Sequence, residues 1–540
     1  MEAKFREFVF EYESKVVELS RETSLSYFEA SISGNPEDYK RSGELQLQLS
    51  KIFTHKEDFA KLRSFKESGA INEPILMRQL ELIYNSYAAN QFDEKLLEQI
   101  IALSTKVEET FATYRANIDE TKLTDNEIDD ILAESTDQTK LEKVWCASKE
   151  IGEVVSRDVL QLVKMRNEAA RQLGYKNYHE MSLKLSEQSS EDIDALFDEL
   201  DNLTGNAFFN LKEEIDSYLS KKHSVDKSIL MPWHYQDKFF QQGPKIYSVD
   251  LDVYFKEKNI EEITKAYYDG INLNVDDLIA KSDLYEKEGK YQHAYCTDID
   301  KRGDVRVVCN IKPNHRWMST MLHEFGHAAY DKYINISLPW SLREPAHIFT
   351  TEAIAMLFGR FASNPVWLKD VVGISEKEAN KIAGDCFNSL RLEQLTFSRW
   401  VQVMYRFEKN MYENPEQDLN VAWWSLVEKY QGLKKPSGRN KADWASKIHV
   451  ALYPAYYHNY MLGELLASQL YMFITNNILE KGESVSFHKN SKVGKFLIEE
   501  FFYFGSSLSW KQLIESSTKE PLSAKHYALQ FINSPYARCS

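Results

Sequence analysis

No proline occurs between Pro74 and Pro232, and no glycine between Gly69 and Gly152. These are the residues that break helices, so the first part of this chain is set up for long ones. Val155, Val159, Leu162, Ala169 and Leu173 recur at helical spacing, and Gly174 stands where a C-cap would end that helix. Helices are expected through most of residues 1–220, with the acidic, Ser/Thr-containing stretches 31–38 and 119–130 as turns between them. Between residues 245 and 312 the pattern changes to short alternating or β-branched runs at 246–251, 291–296 and 304–311. Strands are expected there, the last two forming a small antiparallel hairpin. Helical periodicity then returns almost to the end. The predicted fold class is mainly α, with a minor β element.

Charge and cysteine usage narrow the function. With 66 basic and 82 acidic residues the net charge is −16, which disfavours nucleic acid or an anionic membrane as partner. Cys146, Cys296, Cys309, Cys386 and Cys539 are odd in number and scattered, without a Cys-x-x-Cys pair. That argues against a disulfide framework and against a thiolate zinc cluster. No apolar export segment opens the chain, and no run approaches the roughly 18 apolar residues of a membrane span. A soluble cytoplasmic protein without a transmembrane segment is the expectation, although a chain trimmed of an export signal would begin the same way.

The stretch Met321-Leu322-His323-Glu324-Phe325-Gly326-His327 carries the chemistry. On a helix, histidines four apart face the same way, so both imidazoles can bind one Zn²⁺ while Glu324 beside them handles a proton. Downstream, Glu352 opens a run with apolar positions at Ile354, Leu357, Phe358 and Phe361, which reads as the first turn of another helix. His323, His327 and Glu352 then make a His₂Glu set for one catalytic zinc, with one position left for water. A carboxylate at a helix N-terminus can also simply complement the helix dipole, and it is the two histidines that favour the ligand reading of Glu352. Glu344 is the nearby alternative, read instead as a carboxylate that orients a ligand histidine.

These residues resemble those of the angiotensin-converting-enzyme-like family of zinc peptidyl-dipeptidases. Arg343-Glu344 ahead of Glu352-Ala353-Ile354 is similar to the family's second metal motif. Trp423-Trp424-Ser425-Leu426, Lys429-Tyr430-Gln431-Gly432-Leu433, and Asp443 with Lys447-Ile448-His449 match further segments typical of it. Similarity spans most of the chain and is weaker before about residue 140.

The resemblance implies a zinc metallopeptidase that releases C-terminal dipeptides from oligopeptides. It implies a single domain over residues 1–540: a large helical ellipsoid with a deep central channel, a helical lid from about 1–140 and a catalytic body from about 141–540. Glu324 would be general base, and His449 and Tyr460 the pair stabilising the tetrahedral intermediate. His293 would hold the substrate backbone, and Lys447, Tyr457 and Gln236 the terminal carboxylate. Tyr457 and Tyr460 match only with a one-residue insertion and are also spaced like an ordinary aromatic helix face, and Lys447 could equally be a solvated charge. Three positions depart from the family. Val427 and Asn459 stand where animal members hold chloride with arginines, and Met356 where an aspartate supports a ligand histidine. Oligopeptidase F-like or thimet-like cleavage of short peptides is the neighbouring alternative, and a silent zinc-binding scaffold the remote one.

Overall fold

The computed structural model describes residues 1–247, 249–481 and 485–532. They are mainly helical, with two short antiparallel hairpins. The expected long helices form with clear chemical ends. Glu2–Ser33 stops at Gly34, whose φ of 66° gives a left-handed cap. Asn35 then accepts a hydrogen bond from Glu37 N and starts Pro36–Phe53, so the break expected at 31–38 is only two residues long. Gln138–Gln172 begins on Asp137, whose side chain accepts from Lys140 N, and buries Leu141, Val144, Val155, Val159 and Leu162. Its C-cap is Leu173, with Gly174 at φ 88° just beyond.

Contacts divide the chain into two compact units. One comprises residues 1–91, 249–386 and 462–527; the other comprises 92–248, 387–461 and the stretch from 528 on. Residues 1–91 and 92–140, expected as one lid region, therefore fall in different units. In the first unit, Phe5, Phe8, Tyr12, Leu62, Leu80 and Tyr87 from the N-terminal helices form a core that also takes in Trp340. In the second, Gly152 lies under the backbone of residues 442–446. A Cβ there would run into the carbonyl of Ala442 and meet Ser446 N at 3.0 Å. This contact seats the segment leading into Lys447 and His449 directly on the long helix.

The β content is smaller than expected and partly elsewhere. Tyr295–Asp298 pairs with Val305–Val308 in the register Tyr295↔Val308 to Asp298↔Val305, and this hairpin packs on the helix His315–Tyr333. Ahead of Tyr295 the run expected from 291 is not strand, because its backbone is engaged otherwise. Tyr291 N donates to Ser31 O (2.8 Å), and the Asn310 side chain donates to the carbonyls of Tyr291 and Gln292.

The run at 246–251 does not form a strand in its described residues, and Ser248 lies outside them. Asp250 accepts from Asp252 N (3.0 Å) and turns the chain into the short helix Asp252–Tyr254. Conversely, Ala116–Ile118 and Thr121–Leu123 form a hairpin across the start of the turn expected at 119–130, and the helix Asp125–Glu134, begun on the Thr124 cap, takes up the rest of it. The hairpin's two-residue turn, Asp119 and Glu120, has φ of 49° and 70°. That is the geometry Asn-Gly would have announced and Asp-Glu does not. Among the described residues no helix is long and apolar enough to cross a membrane.

Candidate metal centre

Two helices of the first unit bring the metal donors together. His315–Tyr333 starts on Asn314, which accepts from Trp317 N, and buries Met318, Met321, Leu322, Phe325, Ala328 and Ala329. That face leaves His323 and His327 on the other side, rings 5.0 Å apart at 81°. Ile348–Gly359 starts on His347, so Glu352 stands one turn inside the helix and not at its first turn as expected. The helices touch backbone to backbone: a Cβ on Gly326 would meet Ala355 Cα at 2.9 Å and Ile354 O at 3.2 Å. The glycine of the His-Glu-Phe-Gly-His stretch is thus what permits the approach.

Nε2 of each histidine lies 3.8 Å from Glu352 Oε2, and one donor atom from each of the three residues lies within 4.8 Å of the others. His327 Nδ1 is 2.7 Å from Thr351 Oγ1. With Nδ1 carrying its proton to that hydroxyl, the Nε2 lone pair faces Glu352. Burial drives the imidazole pKa values down, to about 4 for His323 and about 3 for His327, the latter helped by His323. Both rings are therefore neutral, the form that ligates. Burial lifts Glu324 to about 8, with Glu352 adding to it, and lifts Glu352 to about 7, with Glu464 adding to it. Neutral nitrogen donors beside crowded, desolvated carboxylates fit a cation, which would restore both carboxylates to their charged form. Glu464 is itself held by the Arg360 guanidinium.

Glu344 does not take the part expected of it. It is largely exposed and paired with Lys301, and Thr351 makes the contact to a ligand histidine instead. No carboxylate was needed for that role; a hydroxyl adjacent in sequence to Glu352 suffices, and only the helix packing reveals it. Met356, at the family's aspartate position, lies against Gly463, whose added Cβ would meet Met356 Sδ at 3.2 Å. His293 is exposed just ahead of strand Tyr295–Asp298, its ring 5.4 Å from Tyr291.

The second unit gathers the other candidates. Lys447 Nζ donates to Gln241 Oε1 (2.6 Å) and lies 5.4 to 5.7 Å from the ring centres of Phe239, Trp400 and Tyr457. Burial lowers its pKa to about 8 against the pull of Asp237. The Tyr457 hydroxyl accepts from Trp400 Nε1 (2.8 Å), and burial raises its pKa. His449 sits between the rings of Tyr453 and Tyr457, at 5.4 and 5.1 Å. Its buried Nδ1 has no partner among the described residues, and burial, then Lys447, pushes its pKa down to about 4. Tyr460 packs edge-on against Tyr456 and Tyr457.

Gln236, at φ 64°, accepts from Lys245 N (3.3 Å). With Gln241 and Lys447 it lines a cavity of about 900 Å³. Gln241, the side chain in contact with Lys447, lies in an irregular segment with no periodic signal, and the sequence offered no reason to select it. Asn459 is buried and accepts from Gln188 Nε2 (2.8 Å), and Val427 is buried as well, so neither position carries a cation.

A family model described as angiotensin-converting enzyme matches residues 1–532. The chain is similar to angiotensin-converting enzyme of Rattus norvegicus, 26% identical over 232 residues, which are 41% of this chain and 17% of the rat protein. It is 23% identical over 514 residues to the angiotensin-converting enzyme-like protein Ace3 of Mus musculus, covering 87% of this chain and 67% of that protein. The leech Theromyzon tessulatum has an angiotensin-converting enzyme 23% identical over 511 residues, 84% of this chain and 79% of its own length. The match thus spans only about a sixth of the rat enzyme and most of the leech one.

Proposed function

From the premise that this chain belongs to the angiotensin-converting-enzyme family, we propose that it is a zinc peptidyl-dipeptidase, removing dipeptides from the C-terminus of oligopeptides. The observation that carries the reading is the set of His323, His327 and Glu352 donor atoms within 4.8 Å of one another, with the Glu324 carboxylate on the same helix. A zinc ion held by those three side chains supplies Lewis acidity for attack on a peptide carbonyl.

The protein's own groups do the rest. Glu324 takes the proton of the attacking water and returns it to the leaving amine. Tyr460 and His449 donate to the oxyanion that develops on the substrate, a contribution of about 3 kcal/mol for one such donor. With its pKa pushed down to about 4, the His449 imidazole is neutral and has one N–H to donate. His293 holds the peptide backbone beyond the scissile bond. Lys447 is the carboxylate reader: an ammonium among Phe239, Trp400 and Tyr457 pairs with a terminal carboxylate far more strongly than one in water. Tyr457 and Gln236 complete that anchor, and Gln241 holds the ammonium in place.

The test is mass spectrometry of products from a short peptide and its C-terminally amidated twin, each with and without chelator. Dipeptides released only from the free acid, and only without chelator, support the reading. Internal cleavage of both peptides would replace it with an oligoendopeptidase, and absence of cleavage with zinc bound would leave a silent scaffold.

A further inference from the structure

Directly before Tyr460 the chain presents two side chains to one buried amide. Gln188 Oε1 accepts from His458 Nε2 and Gln188 Nε2 donates to Asn459 Oδ1, both at 2.8 Å. Gln188, His458 and Asn459 keep only 4%, 1% and 5% of their exposure, and all three lie in the second unit. Gln188 is itself firmly seated. Its backbone N donates to Leu183 O (2.8 Å) at the end of the helix Tyr178–Leu185, and Ser189 beside it caps the helix Ser190–His223. A side-chain amide has one carbonyl and one NH₂ group to offer, and here each goes to a different residue of the same helix turn.

That turn opens the helix His458–Phe473. Tyr460 N donates to Tyr457 O (3.3 Å) and Asn459 N to Tyr456 O (3.0 Å), so the first turn is of the tight three-residue kind. Side chains three apart eclipse in such a turn, and the Tyr457 and Tyr460 rings are accordingly 5.3 Å apart. His458 and Asn459 stand on the opposite side. Gln188 therefore grips the back of the turn whose front carries Tyr457 and Tyr460. Two other contacts hold this region without fixing its rotation about the helix axis. Ala455 N donates to Glu408 Oε1 (2.7 Å) where the chain enters, and His458 packs on the Tyr405 ring, 5.8 Å between centres.

We infer that Gln188 is a positioning residue for Tyr460: it sets the rotation of this first turn, and with it the place of the phenol that donates to the oxyanion. The inference rests on the role proposed for Tyr460. At roughly 6 Å from the helix axis, a rotation of about 10° displaces a hydroxyl by about 1 Å. A shift of that size can cost about 100-fold in rate. Tyr457 is less subject to this loss, because Trp400 Nε1 holds its hydroxyl independently (2.8 Å). The effect therefore falls on kcat more than on KM. A leucine at 188 would fill the space and strand two buried polar groups, which regain partners only by turning the helix.

Steady-state kinetics of the zinc-loaded full chain on a free-acid peptide test it, in Gln188→Leu, Gln188→Glu, Tyr460→Phe and the Gln188→Leu, Tyr460→Phe double variant. Gln188→Leu is expected to lower kcat about 10- to 100-fold with KM within about threefold of the parent. Gln188→Glu should recover most of that loss, because a carboxylate accepts from His458 and also from Asn459 once that amide turns its NH₂ inward. Asn459→Ala releases one of the two contacts without adding bulk; it should show the same loss in smaller measure, and serves if Gln188→Leu folds poorly. With Tyr460→Phe already present, Gln188→Leu should change kcat by less than about twofold, since the hydroxyl through which it acts is gone. A full further loss in the double variant would mean a general structural role and overturn the inference. So would a normal kcat in Gln188→Leu beside an impaired Tyr460→Phe. If Tyr460→Phe turned over like the parent, the role of Tyr460 would fail instead. A fluorotyrosine placed at position 460 reads the geometry without activity: its fluorine resonance is expected to shift or broaden in Gln188→Leu and to return in Gln188→Glu. A resonance unchanged in Gln188→Leu would refute the positioning whether or not the chain cleaves peptides.

Discussion

Gly326→Ala sets two effects of known size against each other. In an ordinary exposed helix the change would stabilise by about 1 kcal/mol, because alanine is the better helix former. Here the new methyl would stand 2.9 Å from Ala355 Cα and 3.2 Å from Ala355 N and Ile354 O. Carbon atoms rest at about 3.5–4.0 Å, so the Glu352 helix must withdraw by roughly 0.6 Å or more. Overpacking of this kind costs about 1–3 kcal/mol, which leaves the metal-free protein less stable by up to about 2 kcal/mol after the propensity gain. Zinc sites tolerate displacements of only about 0.2 Å, so affinity is expected to fall about tenfold or more. Gly384→Ala is the control, since nothing lies within 4 Å of a Cβ there, and it should raise stability by up to about 1 kcal/mol with zinc affinity intact. Competition titration with a chromogenic chelator and thermal unfolding of the metal-free proteins read both quantities. If Gly326→Ala stabilised the apo protein and bound zinc as the parent does, the helices would not be in this contact, and the packing argument would be wrong.

Glu324→Gln is expected to keep zinc and lose about 10²–10⁴ in kcat, measured as turnover of a zinc-loaded variant; normal turnover would remove Glu324 from its role. Thr351→Val keeps the shape and deletes the 2.7 Å contact to His327 Nδ1, so zinc affinity should drop about 10- to 100-fold by the same chelator titration. Lys447, with its pKa lowered to about 8, is cationic below that pH and neutral above it. The KM for free-acid peptides should therefore rise as pH climbs through 8, with kcat less affected because a bound carboxylate restores the ammonium. A KM flat from pH 7 to 9.5 would show that Lys447 does not read the substrate.

The metal centre was legible because it rests on local geometry: four residues on a helix fix the relation of His323 to His327 wherever the helix lies. Glu352 was legible from its neighbours, though its place one turn inside the helix was not. The helix-rich class followed from the scarcity of proline and glycine, and the break after Ser33 falls inside the turn expected at 31–38. Errors fell where a side chain competed with a pattern. Asp250 diverts a strand-like run, and Asp119 and Glu120 adopt a turn their identities do not advertise. Glu344 has the right chemistry for a histidine partner and the wrong position, since Lys301 claims it.

The amino-acid sequence by itself determined the helical class, the spacing of the two histidines and the place of Glu324 between them, because each depends on residues within one or two turns of the same helix. Tertiary structure alone decided that Thr351 contacts His327 and that Gln241 holds Lys447. Those contacts join residues distant in the chain, or set by how one helix faces another. They follow from close packing at places such as Gly326 and Gly152, where the absence of a side chain decides what may approach, and no periodicity in the chain records what does.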